Sequence, residues 1–375
     1  MTERKRLLWI DIAKALAICW VVYFHFFRTV FEHYEFPPND WHNIAAATMS
    51  ILRTIWWQVS GLGFHAVGAF IILSGLTLMQ STMRRAESGQ VGWGKWYFDR
   101  FVRLYPMYWV AHLVYLLSPF VARLEPVDER IILSLLGLRF INIEMNFMYL
   151  NAAWWYFSML IQFYLLFPLL FLAARKLGPV VFLLGACAIG FFTRHLMLNV
   201  YPQHGLWILG GFAICRLPEF ALGMALGMWH TRWTSRVERL LLRGPGFIAG
   251  LILYPFALKT YSNGIAYVFA DFATGACCFL AIVGVAGLIA MIQTPAKLFA
   301  LIGTYSYGLY LIHQPYVIWL GLKIRPQSIG AFLITFVITL AVLSAWGMIL
   351  EKSTNAFVNK LLRTKTRSPA AKMSI

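Results

Sequence analysis

From Leu7 to Phe27 the chain reads LLWIDIAKALAICWVVYFHFF. That is the length of one bilayer crossing, roughly 20 residues at about 1.5 Å rise each, which predicts a membrane-spanning helix. The stretch nevertheless carries Asp11, Lys14 and His25. Ionisable groups are costly in lipid, so they face a protein interior or a wet cavity and mark a functional path. At about 100° per residue, Lys14 and His25 return to within about 20° of one azimuth, and Asp11 falls about 40° beyond His25. All three therefore lie on one stripe. Lys14 and His25 stand about 16 Å apart along it, too far to touch each other but suited to the two ends of one long ligand. A second reading makes Asp11 and Lys14, three residues apart, a snorkelling pair near the headgroups, with His25 as an interfacial histidine.

The rest of the chain repeats the pattern of long apolar runs. Of its 375 residues 60% are hydrophobic and 13% charged, against about a quarter charged in a soluble domain. The expected fold is all-α: a polytopic bundle of about ten transmembrane helices, beginning near residues 7, 60, 104, 153, 178, 206, 245, 265, 304 and 329. The first run lacks a small-residue cleavage site after it and exceeds a signal-peptide core in length, so it is expected to stay as the first span. The net charge of +17 does not point to nucleic acid, because the basic residues fall between apolar runs and form no basic domain. Counted over alternate connections, 21 of the 32 lysines and arginines fall on one side and nine on the other. The positive-inside rule then places both termini in the cytoplasm. Residues 1–350 form the expected membrane domain, and 351–375 a basic tail expected to be disordered. Cys19, Cys187, Cys215, Cys277 and Cys278 sit in apolar runs without metal-type spacing, so neither a disulfide framework nor a metal site is expected.

Polar residues within or beside the other runs narrow the candidates. In the first external loop His33 and His42 lack companions for a metal set and read as solvated. His65, at the outer end of the second span, matches His25 in depth, and the two histidines could share a proton path. Ser74 and Gly75 suit close helix packing. In RFVRLYPMYW, Arg100 and Arg103 are three apart on one helix face, which fits either phosphate oxygens or a topology anchor. IILSLLGLRF is expected along the membrane surface, and Trp154, Trp155 and Tyr156 in an interfacial aromatic belt. Arg216 and Glu219, three apart, would neutralise each other, whereas Asp271 has no local basic partner. His313 is followed by Gln314 and Pro315, and the proline frees a carbonyl one turn back, as at a cavity wall; a satisfied core histidine is the other reading.

WIDIAKALAICWVVYFH, AFIILSG, RFVRLYPMYW, WYFSMLIQFYLLFPLL and SYGLYLIHQP, in this order over roughly residues 5–350, resemble the motifs of the membrane-bound acyltransferase 3 family. The resemblance implies a bundle of ten or so helices that moves acyl groups, usually acetyl from acetyl-CoA, to carbohydrates or other envelope molecules. Its first helix carries an Arg and a His, matched here by Lys14 and His25; Lys is a compact charge where Arg is a planar fork. Where relatives often carry a glutamate, this chain has Leu160, Ile161 and Gln162, so no carboxylate serves there. The implied catalytic candidates are His25, Asp11, His65 and His313, with Lys14, Arg100 and Arg103 binding the donor. No permanently bound cofactor is implied. The partners are acyl-CoA, a carbohydrate or lipid-linked acceptor and membrane lipid, and the location a multi-pass place in the bacterial inner membrane. Histidine would act as general base or as acyl carrier. The competing class is a secondary transporter or flippase whose buried ions line a path.

Overall fold

In the computed structural model of the protein, residues 7–31, 44–89, 91–120, 126–200, 205–262, 264–324, 326 and 328–367 are described. His33, His42 and His204 lie outside them. The helices are α1 Leu8–Phe31, α2 Ile44–Gly61, α3 Ala66–Glu87, α4 Trp93–Leu117, α5 Arg130–Leu135, α6 Ile143–Met148 and α7 Trp155–His195. They continue with α8 Leu217–Arg232, α9 Thr234–Leu242, α10 Pro245–Lys259, α11 Ala270–Ile289, α12 Gln293–Thr304, α13 Ser306–Ile324 and α14 Ile329–Arg367. Among the described residues no strand occurs. Among the described residues, five runs are long and apolar enough to cross a membrane: Leu8–Phe31, Ala46–Glu87, Ala152–Val200, Ile265–Ile289 and Ile329–Arg363. Thr234–Leu242 and Pro245–Ser262, bent by 49°, would make a sixth if taken as one span. The protein is a helical, multi-pass membrane protein.

α1 holds neither Gly nor Pro and runs unbroken through the middle of the bundle, burying residues such as Ile12, Ala15, Ile18 and Val22. α12 and α13 pack on one side of it, and α3 and α11 on the others. α7 is interrupted at Gly178, where φ is 77° and Pro179 follows. Glycine takes that left-handed backbone without strain, and the proline withholds the next helical hydrogen bond.

Small residues set how closely α3 and α8 approach. A Cβ on Gly223 would stand 2.0 Å from the Ile72 carbonyl oxygen, and one on Gly75 2.2 Å from that of Phe220. Both obstacles are backbone, so no side-chain rotation relieves them. Gly223→Val is therefore expected to push the two helices apart at a cost of at least about 1–3 kcal/mol. Thermal unfolding of the detergent-solubilised variant should fall by several degrees; an unchanged transition would show that this contact does not set the packing.

Two segments differ from what the sequence predicts. IILSLLGLRF turns inward instead of lying along the surface, because Arg139 is fully buried. Its guanidinium donates to Ser134 Oγ (2.7 Å) and to the Tyr149 and Met145 carbonyls (2.7 and 3.0 Å), winding residues 134–149 around one cation. Aliphatic neighbours hide that role in the sequence. The stretch from Glu351, expected to be disordered, is helical as far as Arg367. It extends an existing helix, so no new nucleus is needed. Glu351 also accepts the Gly308 N–H at 2.8 Å, fastening α14 to α13.

Candidate active site

Where α1, the 62–65 turn, α11 and the segment before α7 meet, they line a partly open cavity of about 270 Å³. His25 enters it from α1, His65 from the turn, and Asp271 and Thr274 from α11; Phe147 and Trp155 form an aromatic wall. The turn is seated directly on α1, since a Cβ on Gly63 would meet Phe24 Cβ and the Trp20 carbonyl oxygen, each at 2.6 Å. That seating brings His65 to the cavity that His25 lines. His65 Nδ1 is hydrogen-bonded with the Tyr254 hydroxyl, and its ring stacks on Tyr261 with centroids 5.5 Å apart. Among the described residues nothing hydrogen-bonds the His25 ring nitrogens, which leaves the ring open to a ligand.

His313 approaches His25 from α13, with ring centroids 5.3 Å apart. Pro315 has no N–H for the carbonyl four residues back, that of Leu311. This carbonyl accepts instead from the Trp154 indole N–H (2.9 Å) and the Asn151 amide (3.1 Å). Gln314 Oε1 accepts the Ala153 N–H at 2.7 Å. The proline break thus ties α13 to the segment that covers the cavity. His313 Nδ1 donates to the Tyr310 carbonyl at 2.7 Å, so in the neutral ring Nε2 carries the lone pair. That nitrogen is buried and has no partner among the described residues. Trp154, Trp155 and Tyr156 do not form an interfacial belt. Trp154 is fully buried against His112, Trp155 lines the cavity, and the Tyr156 hydroxyl bonds Ser74 Oγ at 3.1 Å.

A four-charge cluster forms the inner end of the cavity. Asp271, unpartnered in the sequence reading, accepts from Arg194 at 2.8 Å and Arg216 at 3.3 Å, and from the Tyr261 hydroxyl at 2.9 Å. Arg216 also faces Glu219 at 2.8 Å. All four are at most 5% exposed, and two cations balance two anions. Burial of these groups is tolerable only because each is paired with an opposite charge. Sequence reasoning missed Arg194, which also donates to the Val268 and Ile208 carbonyls at 2.7 and 3.1 Å. Its one available signal was arithmetic: Arg216, Glu219 and Asp271 leave one unpaired negative charge in apolar runs, and Arg194 is the cation that cancels it.

The remaining candidates stand elsewhere. Lys14 Nζ lies 4.0 Å from Asp11, with the lysine about a fifth exposed. Asp11 is buried beside α12, where Gly303 closes on its carbonyl. Fourteen residues along α1 put Asp11 about 21 Å from His25, which removes it from any role at the reacting atoms. Arg100 lies over the Trp96 ring at 5.5 Å, and Arg103 is exposed. Neither arginine nor Lys14 lines the His25 cavity. The structure therefore brings His25 and His65 to one space, sets His313 against the His25 ring behind it, and leaves the four charged candidates outside.

An open imidazole with a second histidine behind it suits proton removal or covalent acyl capture. The family model described as an acyltransferase domain matches residues 7–348, nearly the whole chain. The chain belongs to the acyltransferase 3 family. No curated protein and no solved structure matches it. This acyltransferase is thus an acyl-transferring membrane enzyme, and its cavity histidines are the groups whose chemistry fits that reaction.

Proposed function

We propose that this acyltransferase moves an acyl group, acetyl foremost, from cytoplasmic acyl-CoA to a hydroxyl of a cell-envelope carbohydrate such as exopolysaccharide or lipopolysaccharide. The observation that carries the proposal is the His25 ring, which lines a partly open cavity and has no hydrogen-bond partner among the described residues. Neutral imidazole takes the acceptor's hydroxyl proton as that oxygen attacks the thioester carbonyl; the carbon–sulfur bond breaks, and the CoA thiolate leaves with a proton returned from the imidazolium. An acyl-imidazole on His25 is the two-step variant of the same transfer.

The donor is CoA thioester, and its phosphates suit the cations near the helix starts. Lys14 is six residues into α1 and Arg100 seven residues into α4, matching depths of about 9 to 10 Å. An extended pantetheine arm spans the remaining distance along α1 to His25. This topology needs ten spans with both termini in the cytoplasm of a bacterial inner membrane. The break at Gly178 supports it, since an unbroken α7 would be about 60 Å long and would overrun the bilayer twofold.

Arg100→Ala and Arg103→Ala are each expected to raise the acyl-CoA KM about tenfold or more with acceptor KM little changed, as loss of a charged phosphate contact costs about 1.5–3 kcal/mol. Unchanged donor KM in both would leave the arginines as topology anchors. The reaction itself is tested with purified protein in liposomes, labelled acetyl-CoA and an envelope glycan, alongside chemical analysis of glycans from cells with and without the gene. Label in ester linkage to the glycan is expected. Movement of unmodified glycan with no acyl transfer would replace the enzyme by a flippase.

A further inference from the structure

We infer that the cavity beside His25 is an acceptor subsite for a single uncharged sugar ring, anchored by His65; this rests on the carbohydrate-acceptor reading above. His65 is 4% exposed, and Tyr254 holds its Nδ1. Nε2 is left buried with no partner among the described residues. A buried polar atom without a partner is costly, and a ligand hydroxyl in the cavity would satisfy it. Stacking on Tyr261 fixes the ring plane, so the atom is held in advance for that hydroxyl. Tyr261 in turn donates to Asp271, which ties the anchor to the charge cluster.

Size and charge narrow the ligand. The volume of 270 Å³ equals that of about nine liquid waters, room for one pyranose ring within the cavity itself. Trp155, Phe147 and Phe64 line it and offer apolar faces to the C–H face of such a ring. The two charged wall groups, Arg216 and Asp271, cancel and are backed by Arg194 and Glu219, and the other polar wall groups are neutral hydrogen-bonders, Thr274 and Gln314 among them. A uronate or phosphorylated sugar would bring in one more buried negative charge, with no unpaired cation among the described residues of the wall to meet it, a cost a neutral ring avoids. His65 is accordingly a binding residue for the acceptor. The reacting hydroxyl is presented to His25, which lines the same space.

The first test is binding without donor. Methyl hexopyranosides and the matching methyl hexuronates are titrated into the purified protein while Trp fluorescence is followed. Neutral glycosides are expected to bind at least about tenfold more tightly than uronates, the value of one uncompensated buried charge at its smallest. His65→Ala should weaken glycoside binding and raise acceptor KM by about tenfold, the loss of one buried hydrogen bond, with acyl-CoA KM unchanged. His65→Gln, which keeps a side-chain hydrogen-bonding group, should recover part of the loss and guards against misfolding. Equal or tighter uronate binding overturns the charge argument, and unchanged acceptor KM in His65→Ala overturns the anchor. Glycoside binding in a protein that transfers no acyl group would sink the enzymatic reading and leave the subsite standing.

Discussion

His25→Ala is expected to abolish acyl transfer while the protein remains inserted and abundant. The ring faces a cavity and makes no hydrogen bond to the described protein, so its removal breaks no internal contact network of the kind that holds Arg139 or Asp271. A positioned general base contributes about 10²–10⁴ in rate, so residual turnover should be at most about one per cent. Label transferred from acyl-CoA, normalised to inserted protein, is the measurement. A well-expressed His25→Ala variant working at the normal rate would reject the mechanism. His313→Ala tests the neighbouring ring in the same assay, and a smaller loss is expected there, because its Nδ1 is already committed to Tyr310.

Asp271→Ala is expected to have the largest effect on stability. The substitution removes the carboxylate between Arg194 and Arg216 and leaves excess positive charge buried. Breaking a buried ion pair by removing one partner costs about 3–5 kcal/mol, a large share of a typical folding free energy. The variant should give little monodisperse protein in detergent and a markedly lower thermal transition. Arg194→Met combined with Asp271→Leu removes one charge of each sign and leaves Arg216 with Glu219, so much of the stability should return. A double variant no better than Asp271→Ala would show that the carbonyl contacts of Arg194, rather than charge balance, carry the effect.

The contrast between Arg139 and His25 shows where legibility in the sequence ends. His25 stands out because its type is wrong for its surroundings, a titratable ring in an apolar run at a depth that repeats in His65. Arg139 is just as anomalous in the structure but ends IILSLLGLRF, which reads as an amphipathic surface stretch where an arginine is ordinary. Its burial depends on carbonyls contributed by residues 145–149 after the chain has turned. Asp271 was legible as an acid without a partner. The partner was not, because Arg194 is distant in sequence and lies at the far end of another helix.

What the sequence determined by itself was everything governed by local period and composition: helices, apolar runs, the stripe on α1, and the break that Pro315 makes in α13. Hydrophobic length and the missing proline N–H act within a turn or two of chain, so no tertiary knowledge is needed to see them. Which histidines share a space, and which charges meet, was decided by helix packing. The glycine contacts of α3 with α8 and of Gly63 with α1 set interhelical distances over which hydrogen bonds and ion pairs form or fail. Lys14 and His25 share a face of one helix, yet the cavity closes around His25 alone, because the neighbours that wall it come from α11, α13 and the 62–65 turn.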